Sequence, residues 1–138
     1  MLTLAIIKPD AVKNRLAGKI LAHLEAAGFV VRAARLVKLT TAQAEAFYEV
    51  HKERPFYRSL VTFMTSSPAL ALALERDDAV ARLRDVIGAT DPAEAKPGTV
   101  RKLFAESKER NAIHASDSPE TAAREVAFFF PESELRGL

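Results

Sequence analysis

The sequence predicts an α/β or α+β sandwich, because segments typical of strands alternate with segments typical of helices. Residues 2–7 form a short apolar run ended by Lys8-Pro9-Asp10, as expected of a buried strand that a turn terminates. Between residues 16 and 28, apolar side chains recur at helical spacing until a glycine is reached. Residues 29–39 are rich in β-branched side chains and partly alternate, which predicts a second strand.

The next part of the chain is predicted to be helical. Thr40 and Thr41 open a helix that extends to Tyr48. Residues 54–57 interrupt the pattern, and residues 60–64 suit another short helix.

Residues 69–74 are ambiguous, because the segment contains only alanine and leucine. Propensity favours a helix, whereas the shortness of the run and the preceding Pro68 allow a buried strand. The residues alone leave both interpretations open.

The following elements have clearer boundaries. The aspartates at 77 and 78 are expected to cap a helix that ends at Gly88. Residues 90–98 hold two prolines and a glycine and predict an irregular loop, while residues 99–104 suit one or two helical turns. Residues 128–131, three phenylalanines and a proline, are expected to close the core.

A strong helix start lies near the C-terminus. Ser118 is a favoured N-cap, Pro119 suits the first helical position, and Asp117 precedes Glu120 by a capping-box-like spacing. The helix is predicted to continue to Ala127.

His114 lies just before that helix start. Backbone N–H groups and the helix dipole favour a phosphate there, and histidine is a competent nucleophile near neutral pH, where it is largely uncharged. One interpretation is therefore a histidine that accepts a phosphoryl group. The other is a surface or capping histidine, which is the commoner role of a lone histidine before a helix.

Composition excludes several classes of protein. The 138 residues predict one domain, and the 49% hydrophobic residues supply a core for it. A net charge of +2, from 20 basic and 18 acidic side chains, gives no support for binding to nucleic acid or a membrane surface. The absence of cysteine excludes disulfides and thiolate metal sites. With no signal peptide or membrane span in the pattern, a cytoplasmic protein is expected.

The common nucleotide-binding motifs are absent. The five glycines are too scattered for a glycine-rich phosphate loop, and Gly18-Lys19 lacks the rest of a P-loop pattern. His23 and His51 are isolated, and no histidine has zinc-ligand spacing. Polar side chains that suit a phosphate are nevertheless spread along the chain, although each alone is more often a surface residue. They are Lys8, Arg84, Thr90, Arg101 and Asn111.

Taken in order, these segments resemble the nucleoside diphosphate kinase family over nearly the whole chain. The matching segments are Ile6-Ile7-Lys8-Pro9-Asp10, Tyr48 with Arg54-Pro55-Phe56-Tyr57, Gly88-Ala89-Thr90-Asp91-Pro92, Lys96-Pro97-Gly98-Thr99-Val100-Arg101, and residues 111–118. The resemblance implies a ferredoxin-like βαββαβ fold, with a four-stranded antiparallel sheet covered by helices and residues 69–74 as a strand. It also implies transfer of the terminal phosphate of a nucleoside triphosphate, usually ATP, to a nucleoside diphosphate in two half-reactions. Magnesium would be held mainly by the nucleotide phosphates, with no metal-ligating side chain expected.

The resemblance assigns the phosphate-handling residues. His114 would be phosphorylated on Nδ1, and the kinetics would be ping-pong. Lys8, Arg84 and Arg101 would supply positive charge to the phosphates, and Thr90 would add a neutral hydrogen bond.

The remaining site residues follow in the same way. Lys8 and Asn111 would hold the ribose hydroxyls, and Tyr48 would lie near the transferred group. Phe56 would stack on the base, a contact that every base tolerates because each has a π-face.

Glu125 is the candidate for orienting the nucleophile. It lies two helical turns past Ser118, from where it could reach the imidazole of His114 and the hydroxyl of Ser116. A solvated helix glutamate is the alternative that the residue alone favours.

Two residues depart from the family pattern. Ala115 stands where glycine is usual, which would cost about 1 kcal/mol if the position requires a positive φ. Lys108 replaces an aliphatic residue opposite the base, where its methylene stem could still cover the base. Assembly is expected to be homo-oligomeric, a hexamer or alternatively a tetramer.

Two other functions remain open on the sequence. A phosphohistidine relay protein would need His114 and a docking surface but not the whole set of phosphate-binding residues. A binding protein that has lost catalysis would be expected to lack His114, which this chain retains.

Overall fold

The computed structural model describes residues 1–136 and contains one four-stranded antiparallel sheet. The strands are β1 (Leu2–Ile7), β2 (Val30–Val37), β3 (Ala69–Glu75) and β4 (Ile113–Ala115). Their spatial order is β2-β3-β1-β4. This is the ferredoxin-like arrangement that the resemblance implies.

Helices connect and cover the strands. They are α1 (Pro9–Lys13), α2 (Ala17–Ala26), α3 (Thr41–Phe47), α4 (Tyr57–Met64), α5 (Ala79–Ile87), α6 (Val100–Phe104), α7 (Pro119–Phe129) and α8 (Glu132–Leu135). Short 3₁₀ turns occupy Glu49–His51 and Pro92–Glu94. Among residues 1–136, no helix combines the length and apolar character that crossing a bilayer requires.

The sheet has a core on each face, because successive residues of a strand point to opposite sides. Leu4 and Ile6 pack with Phe47, Met64 and Phe130 beneath α3, α4 and α7. The alternate residues of β1 pack on the other face, with side chains from α2 and α5. Both faces of β1 and β3 are therefore covered.

That double coverage decides the ambiguous segment 69–74 in favour of a strand. In β3, Ala71, Leu72, Ala73 and Leu74 are fully buried, between β1 and β2 in the sheet. A strand buried on both faces is apolar throughout and does not alternate, so its pattern resembles that of a buried helix.

Several local predictions are wrong. Lys8-Pro9-Asp10 was expected to form a turn, but Pro9 is the first residue of the short helix α1, a position that suits proline. Asp78 is the N-cap residue of α5, within the predicted Asp77-Asp78 pair, but its side chain makes no capping hydrogen bond and its backbone is left-handed (φ 53°). The predicted Asp117–Glu120 capping box is absent from α7, because Ser118 is the N-cap residue instead.

The C-terminal helix is nevertheless set by its N-cap. The Ser118 hydroxyl accepts a hydrogen bond from the N–H of Thr121 at 3.1 Å, and Pro119 is the first helical residue. The helix continues past Ala127 to Phe129. Phe129 and Phe130 enter the core as expected, whereas Phe128 is 40% exposed, because it lies on the outer face of the last turn.

Candidate active site

The short strand β4 carries His114 at its centre, opposite Ile6 of β1. The Nε2 atom of His114 lies 2.8 Å from Oε1 of Glu125, two turns into α7. The hydroxyl of Ser116 donates to the same carboxylate oxygen at 2.7 Å. The structure therefore brings His114, Ser116 and Glu125 into one hydrogen-bonded group. The residues alone did not predict β4, which is too short for a detectable pattern.

The charge of Glu125 determines what His114 can do. Burial alone would raise the pKa of this carboxyl, but the hydrogen bond and charge of His114, with the Ser116 hydrogen bond, bring its pKa below the ordinary value. An ionised carboxylate only accepts hydrogen bonds, so the Nε2 atom of His114 carries the proton. In the neutral imidazole Nδ1 then keeps its lone pair, and within residues 1–136 it has no hydrogen-bond partner.

Aromatic side chains enclose the imidazole. The Tyr48 and His114 ring centroids are 6.1 Å apart, and Phe47 contacts the imidazole edge-on at 5.4 Å. The Tyr48 hydroxyl is buried and has no partner among the described residues. Burial, and then the charge of Glu125, raise the pKa of Tyr48, so the phenol keeps its proton. A cavity of about 260 Å³ opens between Tyr48, His114 and Glu125.

A second group of polar residues surrounds Lys8, which follows β1 directly. Its Nζ donates to Oδ1 of Asn111 at 2.8 Å, and the Asn111 amide donates to the carbonyl oxygen of Thr90 at 3.2 Å. Burial and the charge of Arg101 lower the pKa of Lys8 to about 8, against weaker opposing effects of Asp10 and Glu109. Lys8, Thr90 and Asn111 are thus connected, although they come from distant parts of the chain.

Arg101 lies near both groups, because it bonds the residue before His114 and its charge affects Lys8. Its guanidinium donates to the carbonyl oxygens of Gly88 (3.0 Å) and Ile113 (2.7 Å), so it is anchored beside β4. Burial, with the nearby charge of Arg84, lowers the pKa of Arg101 to about 10. A guanidinium whose charge is disfavoured by a second one nearby forms, together with that second group, a natural site for an anion.

Gly88 is required where Arg101 is anchored. Its φ is +89°, and a Cβ built there would lie 2.6 Å from Oγ1 of Thr99. Any other residue would displace the Thr99 N-cap of α6, the helix that carries Arg101.

The other candidate residues lie nearer to solvent. Arg84 and Thr90 are exposed, and so is Lys108. Phe56 is 47% exposed just before α4, with its ring centroid 5.5 Å from that of His51. His51 also lines the His114 cavity, so Phe56 lies beside this cavity without entering it.

The strained residue of the site is Ala112, not Ala115. Ala112 has φ +75°, whereas Ala115 is an ordinary residue of β4, absent from the positive-φ residues of the described chain. Neither Ala112 nor Asp10, which accepts a hydrogen bond from the Ala112 N–H, was a candidate from the sequence. An alanine in the sequence does not indicate a positive φ. Asp10 entered the sequence analysis only as part of the Lys8-Pro9-Asp10 motif, with no role of its own.

The two alanines should therefore respond oppositely to glycine. Ala115→Gly is expected to lower the free energy of unfolding by about 0.5–1 kcal/mol, because glycine weakens a strand. Ala112→Gly is expected to raise it by about 1 kcal/mol, because it relieves a conformation that disfavours a Cβ. Denaturant unfolding of both variants beside the wild type measures the difference. A stabilising Ala115→Gly would mean that position 115 does need glycine.

Comparison with known proteins identifies the family of this chain. A family model described as nucleoside diphosphate kinase matches residues 2–135. The nucleoside diphosphate kinase of Sorangium cellulosum is 56% identical over 133 residues, covering 96% of this chain and 92% of the relative. That of Bordetella avium is 58% identical over 133 residues, covering 96% and 94%.

Solved structures of the same family have the same fold. A crystal structure of the Aquifex aeolicus nucleoside diphosphate kinase superposes with a TM-score of 0.94 at 46% identity, covering 96% of each chain. The halophilic enzyme of Halobacterium salinarum, solved in complex with CDP, has a TM-score of 0.93 at 34% identity, covering 97% of this chain and 90% of that one. With a full-length family match, relatives above 50% identity and the same fold, this chain belongs to the nucleoside diphosphate kinase family.

Proposed function

We propose that this chain moves the terminal phosphate of a nucleoside triphosphate to a nucleoside diphosphate through a phosphohistidine at Nδ1 of His114. The observation that carries the proposal is the pairing of Nε2 with the Glu125 carboxylate at 2.8 Å, because in the neutral imidazole this pairing leaves the Nδ1 lone pair free. A single domain over residues 1–138 would hold the whole site.

In the first half-reaction, the Nδ1 lone pair attacks the γ-phosphorus. The bond from that phosphorus to the β,γ-bridging oxygen breaks, and the nucleoside diphosphate leaves with the electron pair. The imidazole becomes positively charged, and Glu125 stabilises it through the retained Nε2–H hydrogen bond. The second half-reaction is the reverse, with a β-phosphate oxygen of another nucleoside diphosphate as the attacking group.

Charge stabilisation would come from Lys8, Arg84 and Arg101, since phosphoryl transfer depends mainly on positioning and electrostatics. The charge of Arg84 contributes to the lowered pKa of Arg101, which supports an anion bound near these two residues. Thr90 would donate a hydrogen bond to a phosphate. Asn111, already bonded to Lys8, would share the ribose hydroxyls with it.

The site would hold the nucleoside without contacting the hydrogen-bonding edge of its base. The exposed ring of Phe56 offers a stacking surface, and the stem of Lys108 would cover the other side of the base. Broad base specificity follows from this arrangement. Tyr48, whose ring lies near the imidazole, would contact the transferred phosphoryl group.

Family membership implies a nucleoside triphosphate donor and a divalent metal ion; we propose ATP and Mg²⁺. Residues 1–136 contain no group of three or more His, Cys, Asp or Glu side chains that could hold a metal ion. The cationic Lys8 and Arg101 suit phosphate oxygens, so the ion would be held mainly by phosphates and water, as is common for Mg²⁺. When bound, it would neutralise charge on the phosphates.

A homo-oligomer is proposed as well, a hexamer or alternatively a tetramer. The edge strand β2 exposes two large apolar side chains, Leu36 (63%) and Val30 (48%), which supports association of copies of the chain. Light scattering coupled to size-exclusion chromatography would measure the assembly. A cytoplasmic location stays a prediction.

The test of the proposal is incubation with γ-labelled ATP and magnesium in the absence of an acceptor. Acid-labile, base-stable label is expected on the protein, and added GDP or CDP should remove it as labelled triphosphate. Label that no nucleoside diphosphate removes would favour a phosphohistidine relay protein. Absence of label with ATP bound would identify a catalytically silent binding protein.

The lowered pKa of Lys8 predicts that kcat/KM and the free energy of unfolding change in opposite directions as the pH rises. Above about pH 8 the free enzyme loses the Lys8 charge, so kcat/KM should fall as pH rises. The unfolded chain, with Lys8 near its ordinary value of 10.5, binds more protons between those two pH values, so the free energy of unfolding should rise across that window.

Lys8→Gln should remove both trends, and the exposed Lys19→Gln is the matched control that should keep them. The pH profiles of kcat/KM and of urea unfolding measure the two effects. Identical profiles for Lys8→Gln and the wild type would contradict the prediction.

A further inference from the structure

The segment between Asn111 and His114 contains a strained turn. The N–H of Ile113 donates to the carbonyl oxygen of Asn111 at 2.9 Å, and Ala112 between them has φ +75°. A hydrogen bond across a single residue of positive φ defines the rare, strained form of the γ-turn. Such a conformation persists only where its surroundings hold it.

A backbone N–H and a carboxylate just after β1 hold the peptide groups on either side of Ala112. The backbone N–H of Lys8 donates to the carbonyl oxygen of Ala112 at 2.8 Å. The N–H of Ala112 donates to Oδ2 of Asp10 at 3.1 Å. Asp10 is the only side chain among the described residues with a hydrogen bond to Ala112, so it is the part of this support that a substitution can remove.

The burial of Asp10 is otherwise unexplained. The residue is 5% exposed, and its second oxygen, Oδ1, has no hydrogen-bond partner within residues 1–136. Burying a carboxylate is unfavourable unless it is paired and hydrogen-bonded. Burial raises the pKa of Asp10, whereas the charge of Lys8 and the hydrogen bond from Ala112 oppose that rise by stabilising the carboxylate.

We infer that Asp10 is a positioning residue, whose carboxylate fixes the Ala112 turn and thereby the placement of Asn111 and His114. Asn111 begins the turn and bonds Lys8 through its side chain, while His114 follows the turn in β4. A relaxed turn would shift both residues relative to each other. The kinetic consequence rests on the proposed function, whereas the structural consequence does not.

Positioning errors of about 1 Å can slow an enzymatic reaction about 100-fold. Asp10→Ala is therefore expected to lower kcat about 10- to 100-fold, with a smaller change in KM. Asp10→Asn keeps an oxygen that can accept the Ala112 N–H, so it should retain kcat within about threefold of the wild type.

The matched control is Glu106→Ala. The Glu106 carboxylate accepts a hydrogen bond from Asn14 at 2.8 Å and so ties the end of α1 to a segment just before the turn, but it does not contact Ala112. This variant should keep the kcat of the wild type. An equal loss of kcat in Glu106→Ala and Asp10→Ala would overturn the inference.

A double-mutant cycle with Ala112→Gly separates positioning from general destabilisation. Glycine adopts positive φ without strain, so the turn needs less support once Ala112→Gly is present. The loss of kcat caused by Asp10→Ala should therefore shrink at least about threefold when it is measured in the Ala112→Gly background. If Asp10→Ala alone does not fold, the double variant is compared with Ala112→Gly alone: a kcat lowered by less than about 30-fold is expected, and a loss of about 100-fold or more would overturn the inference. A loss of equal size in both backgrounds would overturn the inference.

Amide hydrogen exchange gives a readout that needs no catalysis. Exchange of the Ala112 N–H should be at least about tenfold faster in Asp10→Ala than in the wild type or Asp10→Asn, at pH values where all are folded. An unchanged exchange rate would show that Asp10 does not support the turn and would overturn the inference. If the wild type forms no phosphohistidine, the proposed function fails, and the exchange result still decides the role of Asp10.

Discussion

Replacing His114 by glutamine is expected to abolish phosphorylation of the protein and to lower kcat by about 10⁴- to 10⁶-fold, the loss typical of removing a catalytic nucleophile. The amide of glutamine offers no nucleophilic nitrogen, but it can still donate a hydrogen bond to Glu125. The buried carboxylate therefore keeps a partner, and the variant should fold. Steady-state kinetics and incorporation of label from γ-labelled ATP measure the effect.

His23→Gln is the matched control, because it removes another histidine that lies in α2, away from the site. It should be labelled and should turn over like the wild type. If His114→Gln were still labelled, the phosphoryl acceptor would be a different residue. If it were unlabelled yet active, transfer would be direct, without a phosphoenzyme.

The second large effect is expected at Glu125. Glu125→Ala removes the acceptor that holds the proton on Nε2 of His114, so the Nδ1 lone pair is no longer assured and the charged phosphohistidine loses its partner. The rate of phosphorylation at saturating ATP should fall about 10²- to 10³-fold, comparable to the loss of one preorganised electrostatic contact. Rapid-quench measurement of phosphohistidine formation isolates this step.

Glu125→Gln should cost less, about tenfold, because its carbonyl oxygen can still accept from both His114 and Ser116 while the charge is lost. Glu120→Ala, in the exposed first turn of the same helix, is the matched control and should not change the rate. An undiminished rate in Glu125→Ala would assign Glu125 a purely structural role.

The relative size of the rate losses in His114→Gln and Glu125→Ala distinguishes the roles of the two residues. Loss of the nucleophile stops the reaction, whereas loss of the orienting carboxylate leaves a nucleophile in the wrong protonation state part of the time. A variant series in which Glu125→Ala is as inactive as His114→Gln would indicate that the two act as one unit, as coupled catalytic residues often do.

Several helices and strands are predictable from the sequence, because their signals are local. The spacing of apolar residues before Gly28, the β-branched run in β2 and the Ser118-Pro119 helix start each act over a few neighbouring residues, so they are visible without tertiary contacts. The alternation of the elements gave the fold class. The phosphate-handling residues were recognisable through their motifs, and their roles remain predictions.

Other features depend on contacts between residues far apart in the chain, so they follow only from the tertiary structure. Segment 69–74 is a strand because neighbours cover both of its faces, and β4 exists because β1 provides the partner for three residues. The contact of His114 with Glu125 depends on how α7 packs on the sheet. The positive φ of Ala112 is held by a backbone N–H and a carboxylate about a hundred residues earlier, so no local pattern could reveal it.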